Sequence, residues 1–296
     1  RQWLRRAKRR NPGAVTVLTG CFPQAFPGEA LAVEEADIIT GSGARRRVLD
    51  NVLRFLQEGG RIVDIAPHEK SERFEELPME RLEGHTRAFM KIEDGCDRYC
   101  TYCIIPTARG SVRSKPLAEI AAEAETLGRA GFSEIVLVGI NLTSYGKGEN
   151  TDICYAVEAA AKPDGIKRVR LGSLEPDHIS DNVLERLKAQ KKFCPQFHLS
   201  LQSGCDETLK RMNRHYDTAF YRDLVSRIRA VFKDASVTTD VMVGFAGETE
   251  EELSKSLAFV KEIGFAKTHV FAYSRRRGTV AYGLPAQITR AEKAER

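Results

Sequence analysis

The sequence has few cysteines, no long apolar run and little excess charge. Seven cysteines in 296 residues are too sparse for a disulfide scaffold. No stretch approaches the ~18 consecutive apolar residues of a membrane span, and no basic-then-apolar leader opens the chain. The formal net charge of +5 does not require a polyanionic partner. We therefore expect a cytoplasmic protein, in a reducing compartment, that has no membrane partner.

The composition is that of a folded chain. Hydrophobic residues make up 42% and charged residues 29%, so a sizeable core can be buried and wholesale disorder is excluded. The chain begins without Met, inside a basic helix-like stretch (RQWLRRAKRR) that stops at Asn11-Pro12-Gly13. This start predicts a piece of a longer protein that begins partway into a domain.

The first 66 residues alternate helix and strand patterns. Helices are predicted at 1–10 and 45–57, and strands at 14–18, 37–40 and 61–65. This alternation predicts part of a small parallel α/β domain over 1–66. The charged, poorly periodic stretch 67–84 is interpreted as a linker.

From residue 85 to 296 the rhythm is regular. Strands are predicted at 88–92, 134–138, 168–172, 197–201, 236–243 and 268–272, and helices at 116–130, 152–161, 179–189, 218–232 and 248–263. Six strands that alternate with helices predict an α/β fold with a partial (β/α)6 barrel after the small α/β domain. In such a barrel the chemistry lies at the carboxyl ends of the strands.

Three cysteines crowd into eight residues directly after the first barrel strand. Cys96, Cys100 and Cys103 could converge on one metal centre. A structural zinc site wants four ligands, usually from two paired arms, and no second Cys-x2-Cys follows. A 4Fe–4S cluster fits better, because three thiolates hold three irons and leave the fourth open to an amino and a carboxylate group. The alternatives are a zinc knuckle and redox-sensing thiols.

The loop at 91–110 (KIEDGCDRYCTYCIIPTARG) resembles the signature of the radical S-adenosylmethionine (SAM) superfamily. This resemblance implies a six-unit partial barrel in which the open iron of the cluster on Cys96, Cys100 and Cys103 chelates the methionine end of SAM. An electron from the cluster then cleaves SAM and releases a 5′-deoxyadenosyl radical. Tyr102 matches the aromatic position that lies near the adenine in this superfamily.

Further stretches resemble the methylthiotransferases of that superfamily and are spread over nearly the whole chain. They are TGC at 19–21, VGINLTSY at 138–145, RLGSLEP at 170–176, LSLQSGCDETLKRMNRHY at 199–216, TDVMVGFAGETE at 239–250 and HVFAYSRRRGTVA at 269–281. They are most similar to the branch that adds a methylthio group to threonylcarbamoyladenosine beside the anticodon of tRNA. The alternatives are the branches that act on isopentenyladenosine in tRNA or on a ribosomal protein aspartate, and a non-catalytic zinc-binding nucleic-acid module.

The chain departs from the family pattern in three places. The family has three N-terminal cysteines for a second 4Fe–4S cluster, and only Cys21 matches one, so the other two are expected before Arg1. The family's C-terminal RNA-binding TRAM domain is expected after Arg296. The usual Gly-Phe-Pro-Gly-Glu-Thr has Ala246 in place of Pro, which reduces loop stiffness but removes no ligand. The alternative for Cys21 is a small buried residue at a strand end.

Groups that could bind SAM follow barrel strands two to five. They are Gly139, Asn141, Ser173, Glu175, Gln202, Ser203, Arg214, Val243 and Gly244. Their shared location at one barrel face predicts that they act together, although any one of them could instead satisfy backbone groups. Arg214 is predicted to bind the SAM carboxylate, because a guanidinium pairs a carboxylate bidentately.

The expected partners are tRNA, an electron donor such as flavodoxin or ferredoxin, and an unidentified sulfur donor. Arg275, Arg276 and Arg277 follow the last barrel strand and are predicted to contact tRNA phosphates at the barrel rim. The basic opening helix is a second candidate, for which a solvated charged face is at least as good an interpretation.

The remaining cysteines and two histidines have no pattern that indicates chemistry. Cys154 lies on an amphipathic helix and is predicted to be core, and Cys194 and Cys205 lack metal-ligand spacing and are interpreted as structural. His198 and His215 are interpreted as packing or hydrogen-bonding residues.

Overall fold

The computed structural model of the chain describes residues 1–43, 45–69, 72–77 and 86–296. These residues divide into two compact units. Unit 1 consists of the described residues of 1–77 with 95–97 and 104–111, and unit 2 of those of 78–94 with 98–103 and 112–296. The predicted linker lies outside the described residues at 70–71 and 78–84.

Unit 1 contains a three-stranded parallel sheet with short helices. The strands are β1 (Val17–Leu18), β2 (Ile38–Thr40) and β3 (Ile62–Asp64), paired in that order, and the helices are α1 (Gln2–Arg10), α2 (Cys21–Ala25), α3 (Pro27–Leu31), α4 (Arg47–Glu58) and α5 (Ile105–Arg109). Its core includes Ala30, Val33 and Ile39. Strand β1 is shorter than predicted, because the backbone N–H of Thr16 donates to the Asp37 carboxylate, at 2.7 Å, and not to a ladder partner.

Unit 2 begins at the first barrel strand and contains the predicted alternation. Its strands are β4 (Ala88–Lys91), β5 (Glu93–Asp94), β6 (Arg113–Ser114), β7 (Glu134–Val138), β8 (Arg168–Leu171), β9 (Ser173–Leu174), β10 (Gln196–Leu199), β11 (Ser236–Val243) and β12 (Lys267–Ala272). Its helices are α6 (Leu117–Arg129), α7 (Ile153–Ala161), α8 (Asp181–Ala189), α9 (Asp206–Arg211), α10 (Thr218–Val231), α11 (Glu250–Ile263) and α12 (Arg290–Glu295).

Six parallel strand positions follow one another across unit 2. One sheet has the order β4-β7-β8, and the other has the order β9-β10-β11-β12. Strands β8 and β9 are one run of chain interrupted at Gly172, whose N–H donates to the carbonyl of Leu137 at 2.9 Å. Strands β4 and β12 are the two edges. This open, all-parallel arrangement confirms the predicted partial (β/α)6 barrel.

The core of unit 2 lies between the strands and the surrounding helices. Leu137 of β7 and Phe197 of β10 are fully buried in one cluster with Leu127 of α6 and Tyr221 of α10. Each such side chain contributes roughly 1.5–3 kcal/mol on burial. The next residues along the strands point to the other sheet face, since side chains alternate, and that face carries polar groups such as Arg170 and His198.

Local signals set the helix boundaries. The Asp152 carboxylate accepts the N–H of Cys154 at 2.9 Å at the start of α7, and Thr249 with Glu252 forms a capping box on α11. Helix α11 ends at Gly264, where φ is +63°. Within the described residues, no helix has both the length and the apolarity needed to cross a membrane.

Candidate functional site

The stretch 91–110 with its three cysteines is called the cysteine loop here. Backbone hydrogen bonds hold its residues 98–103, which belong to unit 2, from two sides. The backbone N–H of Thr101 donates to the carbonyl of Met212 at 3.0 Å, and the carbonyl of Thr101 accepts the N–H of Ala281 at 2.8 Å. The N–H of Cys103 donates to the carbonyl of Cys100 at 2.9 Å, which closes a turn between the two thiols. Both thiols are half-buried. Residues that follow α9 and β12 therefore fix the loop that carries Cys100 and Cys103.

The guanidinium of Arg214 lies against this loop. One terminal nitrogen, Nη1, donates to the Sγ of Cys100 at 3.2 Å and to the hydroxyl of Tyr102 at 3.3 Å. The side chain of Arg214 is 3% exposed. A buried positive charge therefore lies beside the sulfur of a predicted cluster ligand.

Three more acceptors complete the surroundings of Arg214. Nε donates to the hydroxyl of Tyr216 at 3.0 Å, and Nη2 donates to the carbonyl of Ser200 at 3.1 Å and to the carboxylate of Glu175. Burial alone would lower the pKa of Arg214, but Tyr216, Tyr102 and Glu175 keep it well above its usual range. All five N–H donors of the guanidinium thus face acceptors within unit 2. The predicted role of Arg214 toward the SAM carboxylate stays a prediction.

Tyr102 forms one side of a small apolar cluster at the end of β11. Its ring meets Phe245 edge-on, with ring centroids 6.3 Å apart, and Phe245 meets Tyr273 at 5.1 Å. Met212 and Met242 belong to the same cluster. Burial raises the pKa of Tyr102 well above its usual range. Tyr102 therefore lies against an apolar surface, and its predicted place near adenine stays a prediction.

A buried carboxylate, Glu93, organises the loop after β7. Its Oε2 accepts the backbone N–H groups of Ile140 and Asn141, each at 2.7 Å. Glu93 is fully buried, and its other oxygen, Oε1, has no hydrogen-bond partner among the described residues. A side chain on Gly139 would place Cβ 2.6 Å from Glu93 Oε2, so this approach requires glycine. Burial raises the pKa of Glu93 to about 7.

The remaining predicted SAM residues lie at the same strand ends but differ in burial and in hydrogen bonding. Asn141 is buried, and its side chain is occupied by Ser144 and Thr143, at 2.8 Å each. Ser173 follows β8 across Gly172, as predicted, and it is the exposed first residue of the short strand β9. Gln202 is buried with φ of +70°, and the Ser203 hydroxyl accepts the N–H of Cys205 at 3.3 Å.

The loop after β11 has its own buried brace. Val243 is the last residue of β11, and Gly244 follows with φ of +69°. The Glu248 carboxylate accepts the N–H of Gly244 at 3.1 Å and that of Phe245 at 3.4 Å, and it pairs with Arg296 at 2.6 Å.

Sequence reasoning missed both Glu93 and Glu248. The only signal was an acidic residue close behind an apolar strand.

Unit 1 carries the other two predicted cluster ligands. The N–H of Cys96 donates to the carbonyl of Gly110 at 3.1 Å. The preceding Gly95 has φ of +86°, and a Cβ there would lie 2.0 Å from the carbonyl oxygen of Ser111. Cys21 is the first residue of α2, and its Sγ accepts a hydrogen bond from Nε of Arg109 at 3.1 Å. Both predicted ligand sets therefore include a sulfur beside an arginine: Cys21 here and Cys100 in unit 2.

The donor set suits iron, although no single-ion site is formed. Within the described ranges, no three His, Cys, Asp or Glu side chains are grouped so that one metal ion could bind them together. A 4Fe–4S cluster demands less convergence, since each thiolate binds a different iron atom. Soft thiolates are the ligands that such clusters require. The half-buried thiols of Cys100 and Cys103, with the Arg214 donor beside Cys100, suit ligands of such a cluster.

The predicted RNA-binding arginines are exposed. Arg275, Arg276 and Arg277 follow β12, and Arg275 also stacks on the ring of Tyr282 at 4.2 Å. By contrast, Arg1, which precedes α1, and Arg5 of α1 pair with Glu35 within unit 1. These ion pairs reduce the charge that α1 offers to a partner.

Two expectations about residues outside the site are confirmed. Cys154 is buried in the core of unit 2, where burial raises the pKa of its thiol to about 12. His198 is a hydrogen-bonding residue, with Nδ1 3.0 Å from the hydroxyl of Thr238 and Nε2 3.3 Å from the Asp240 carboxylate. Cys205 is buried as well, with its Sγ 2.9 Å from the Glu207 carboxylate.

Comparison with known proteins matches the same region. The family model "Radical SAM superfamily" matches residues 90–260. The chain is 38% identical to the threonylcarbamoyladenosine tRNA methylthiotransferase MtaB of Bacillus subtilis, over 100% of this chain and 66% of that protein. It is 34% identical to the protein of the same name from Thermotoga maritima, over 99% and 67%. It is 37% identical to the tRNA-2-methylthio-N(6)-dimethylallyladenosine synthase of Pelotomaculum thermopropionicum, over 99% and 66%.

Solved structures show the same fold at low identity. The cobalamin-dependent SAM radical enzyme OxsB matches with a TM-score of 0.61 and 12% identity, over 95% of this chain and 43% of that one. Coproporphyrinogen III oxidase from Escherichia coli matches with a TM-score of 0.52 and 18% identity, over 71% and 50%. The chain spans about two thirds of the length of its curated relatives. The chain therefore belongs to the radical SAM superfamily and, within it, to the methylthiotransferases, and its cofactors are the 4Fe–4S cluster and SAM of that superfamily.

Proposed function

We propose that the protein containing this chain adds a methylthio group to threonylcarbamoyladenosine beside the anticodon of tRNA. The observation that carries this proposal is the 38% identity to the B. subtilis MtaB over 100% of the chain. Because this similarity extends across both units, it involves far more than the cysteine loop that all radical SAM enzymes share.

In this proposal the cysteines divide between two clusters. Cys96, Cys100 and Cys103 hold the SAM-binding cluster, and Cys21 supplies one ligand of a second. When bound, the first cluster supplies the electron that cleaves SAM. The chain itself holds the thiols in place: Arg109 donates to Cys21 and Arg214 donates to Cys100. These hydrogen bonds restrain the positions of the two sulfurs.

The strand ends supply the groups that orient SAM. Gly139 and Gly244 bring backbone to this edge without side chains, and Glu93 and Glu248 hold their loops. The exposed hydroxyl of Ser173 can bond a ribose or amino group. Tyr102 and Phe245 form an apolar wall for adenine that also excludes water from a reactive site.

The partners follow from the same function. The exposed Arg275, Arg276 and Arg277 bind tRNA phosphates. A small redox protein such as flavodoxin or ferredoxin supplies electrons, because SAM cleavage is reductive. A separate sulfur donor replaces the sulfur that each turnover consumes.

The test is mass spectrometry of tRNA nucleosides from cells that lack the gene. We expect the methylthio form of threonylcarbamoyladenosine to disappear and to return with the wild-type gene. The Cys100→Ala variant should not restore it, whereas the matched Cys194→Ala variant should, because Cys194 lies outside the cysteine loop. An unchanged nucleoside profile in the deletion strain would refute the proposal.

A second candidate substrate is dimethylallyladenosine. The P. thermopropionicum relative, at 37% identity, is named for that nucleoside. The same nucleoside analysis separates the two, since loss of the methylthio form of dimethylallyladenosine alone would favour this candidate.

A further inference from the structure

Arg214 donates hydrogen bonds to five acceptors beside the cysteine loop. Its acceptors come from four segments of unit 2: Cys100 and Tyr102 from the loop, Glu175 from the end of β9, Ser200 from the end of β10, and Tyr216 from its own loop. The five acceptors match the five N–H groups of a guanidinium. This side chain is therefore held in one position while it donates to a sulfur.

Arg214 lies between a carboxylate and a sulfur. The carboxylate of Glu175 lies on one terminal nitrogen, and its side chain is 15% exposed. The sulfur of Cys100 lies on the other terminal nitrogen at 3.2 Å. Because the Arg214 side chain is buried and Cys100 is half-buried, solvent screens the interaction of the guanidinium charge with that sulfur only weakly.

We propose that Arg214 is a positioning residue that raises the reduction potential of the cluster through its hydrogen bond to Cys100. Hydrogen bonds to ligand sulfurs and the local net charge are among the properties that set the potential of iron–sulfur clusters. The step concerned is the addition of one electron to the oxidised cluster, from a small redox protein or from dithionite, and no bond forms or breaks. A donor cation at the sulfur stabilises the added negative charge. This inference rests on the cluster ligands assigned above.

Glu175 should act in the opposite direction. Its carboxylate neutralises the guanidinium, so replacing it with an amide leaves more positive charge beside Cys100. A role in holding the loop alone predicts no such opposition of sign. If Arg214 only anchored SAM, its variants would alter SAM binding and leave the reduction potential of the SAM-free cluster unchanged.

The experiment is a redox titration of the reconstituted full-length protein without SAM, followed by electron paramagnetic resonance. For Arg214→Gln we expect the ratio of reduced to oxidised cluster at a fixed potential to fall about tenfold, which is about 59 mV for one electron. For Arg214→Lys we expect a smaller fall, because a lysine keeps the charge but has fewer donors. For Glu175→Gln we expect a shift of opposite sign.

The matched control is Arg211→Gln. Arg211 lies in the same segment, but its guanidinium donates to Glu252 and to Thr208. Its variant should leave the potential unchanged. If Arg214→Gln fails to hold iron, Arg214→Lys and Glu175→Gln decide by the sign of their shifts. Unchanged potentials, or shifts of the same sign, would overturn the inference. A wild-type protein that binds no iron would instead refute the assigned cofactor, and the tRNA analysis tests the substrate separately.

Discussion

The carboxylate of Glu93 accepts the backbone N–H of Asn141 at 2.7 Å, across 48 positions of sequence. Glu93 follows the first barrel strand, and Asn141 follows the second. Through this contact, β5, which leads into the cysteine loop, holds the loop that follows β7. Because Glu93 is fully buried, its ionisation is linked to folding.

We expect Glu93 to make the protein less stable as the pH rises. Burial raises its pKa in the folded chain to about 7 from an ordinary value of 4.5. The favourable contribution is therefore complete below about pH 4.5 and is lost as the pH rises through 7, since the unfolded chain releases the proton more readily. The loss amounts to about 3 kcal/mol.

Urea unfolding of the wild type and of Glu93→Gln at pH 5 and pH 8 measures this contribution. The amide keeps the shape and an acceptor oxygen but does not titrate. The wild type should lose more free energy of unfolding than the variant between these pH values. Equal losses would show that Glu93 is ionised in the folded chain at both.

Replacement of Gly139 by alanine should destabilise unit 2. The new Cβ would lie 2.6 Å from Glu93 Oε2 and 3.1 Å from a methyl carbon of Leu142. Overpacking of this kind costs about 1–3 kcal/mol. Gly283→Ala is the control, because its nearest neighbour would be 3.7 Å away and its φ is −90°. Thermal unfolding of the two variants checks the difference, and similar midpoints would contradict the steric argument.

The sequence predicts the barrel because apolar strand-like runs alternate regularly with amphipathic helix patterns. The runs at 134–138 and 236–243 coincide with β7 and β11. The same reasoning placed Cys154 in the core, since its helix is amphipathic. The two-residue strands β5, β6 and β9 were not predicted, because two residues carry no periodicity. The sequence therefore did not show that Ser173 begins a further strand, β9.

The site was predicted only in part because its contacts are not local. The cysteine spacing indicates a cluster directly, but the five acceptors of Arg214 come from segments up to 114 residues away. Glu93 binds backbone N–H groups, which no side-chain pattern reveals. The pairing of Cys21 with Arg109 spans 88 positions and was equally invisible. Spacing thus identifies ligands, whereas the groups that orient them require the fold.

Loss of the partner of a buried lysine should be costly. The side chains of Lys115 and Glu123 are 4% and 7% exposed and form an ion pair. Glu123→Ala leaves the Lys115 ammonium buried without that partner, which costs about 3–5 kcal/mol. Glu262→Ala is the control. The side chain of Glu262 is 49% exposed and that of its partner Arg222 is 45% exposed, and such surface pairs contribute roughly 0–1 kcal/mol. Chemical unfolding of both variants gives the comparison, and equal effects would contradict this interpretation.

Removal of the three arginines after β12 should weaken tRNA binding in a salt-dependent way. Arg275, Arg276 and Arg277 are exposed, so their charges are accessible to phosphates. If all three contact the RNA backbone, the triple alanine variant of the full-length protein should make the plot of log affinity against log salt shallower by about 2.

Binding of an anticodon stem-loop RNA at several salt concentrations measures that slope. Arg1→Ala with Arg5→Ala is the control, because both side chains pair with Glu35 in unit 1. This double variant should change the slope much less than the triple variant does. A triple variant that binds more weakly with an unchanged slope would mean that the arginines support the fold of the rim and do not neutralise phosphates.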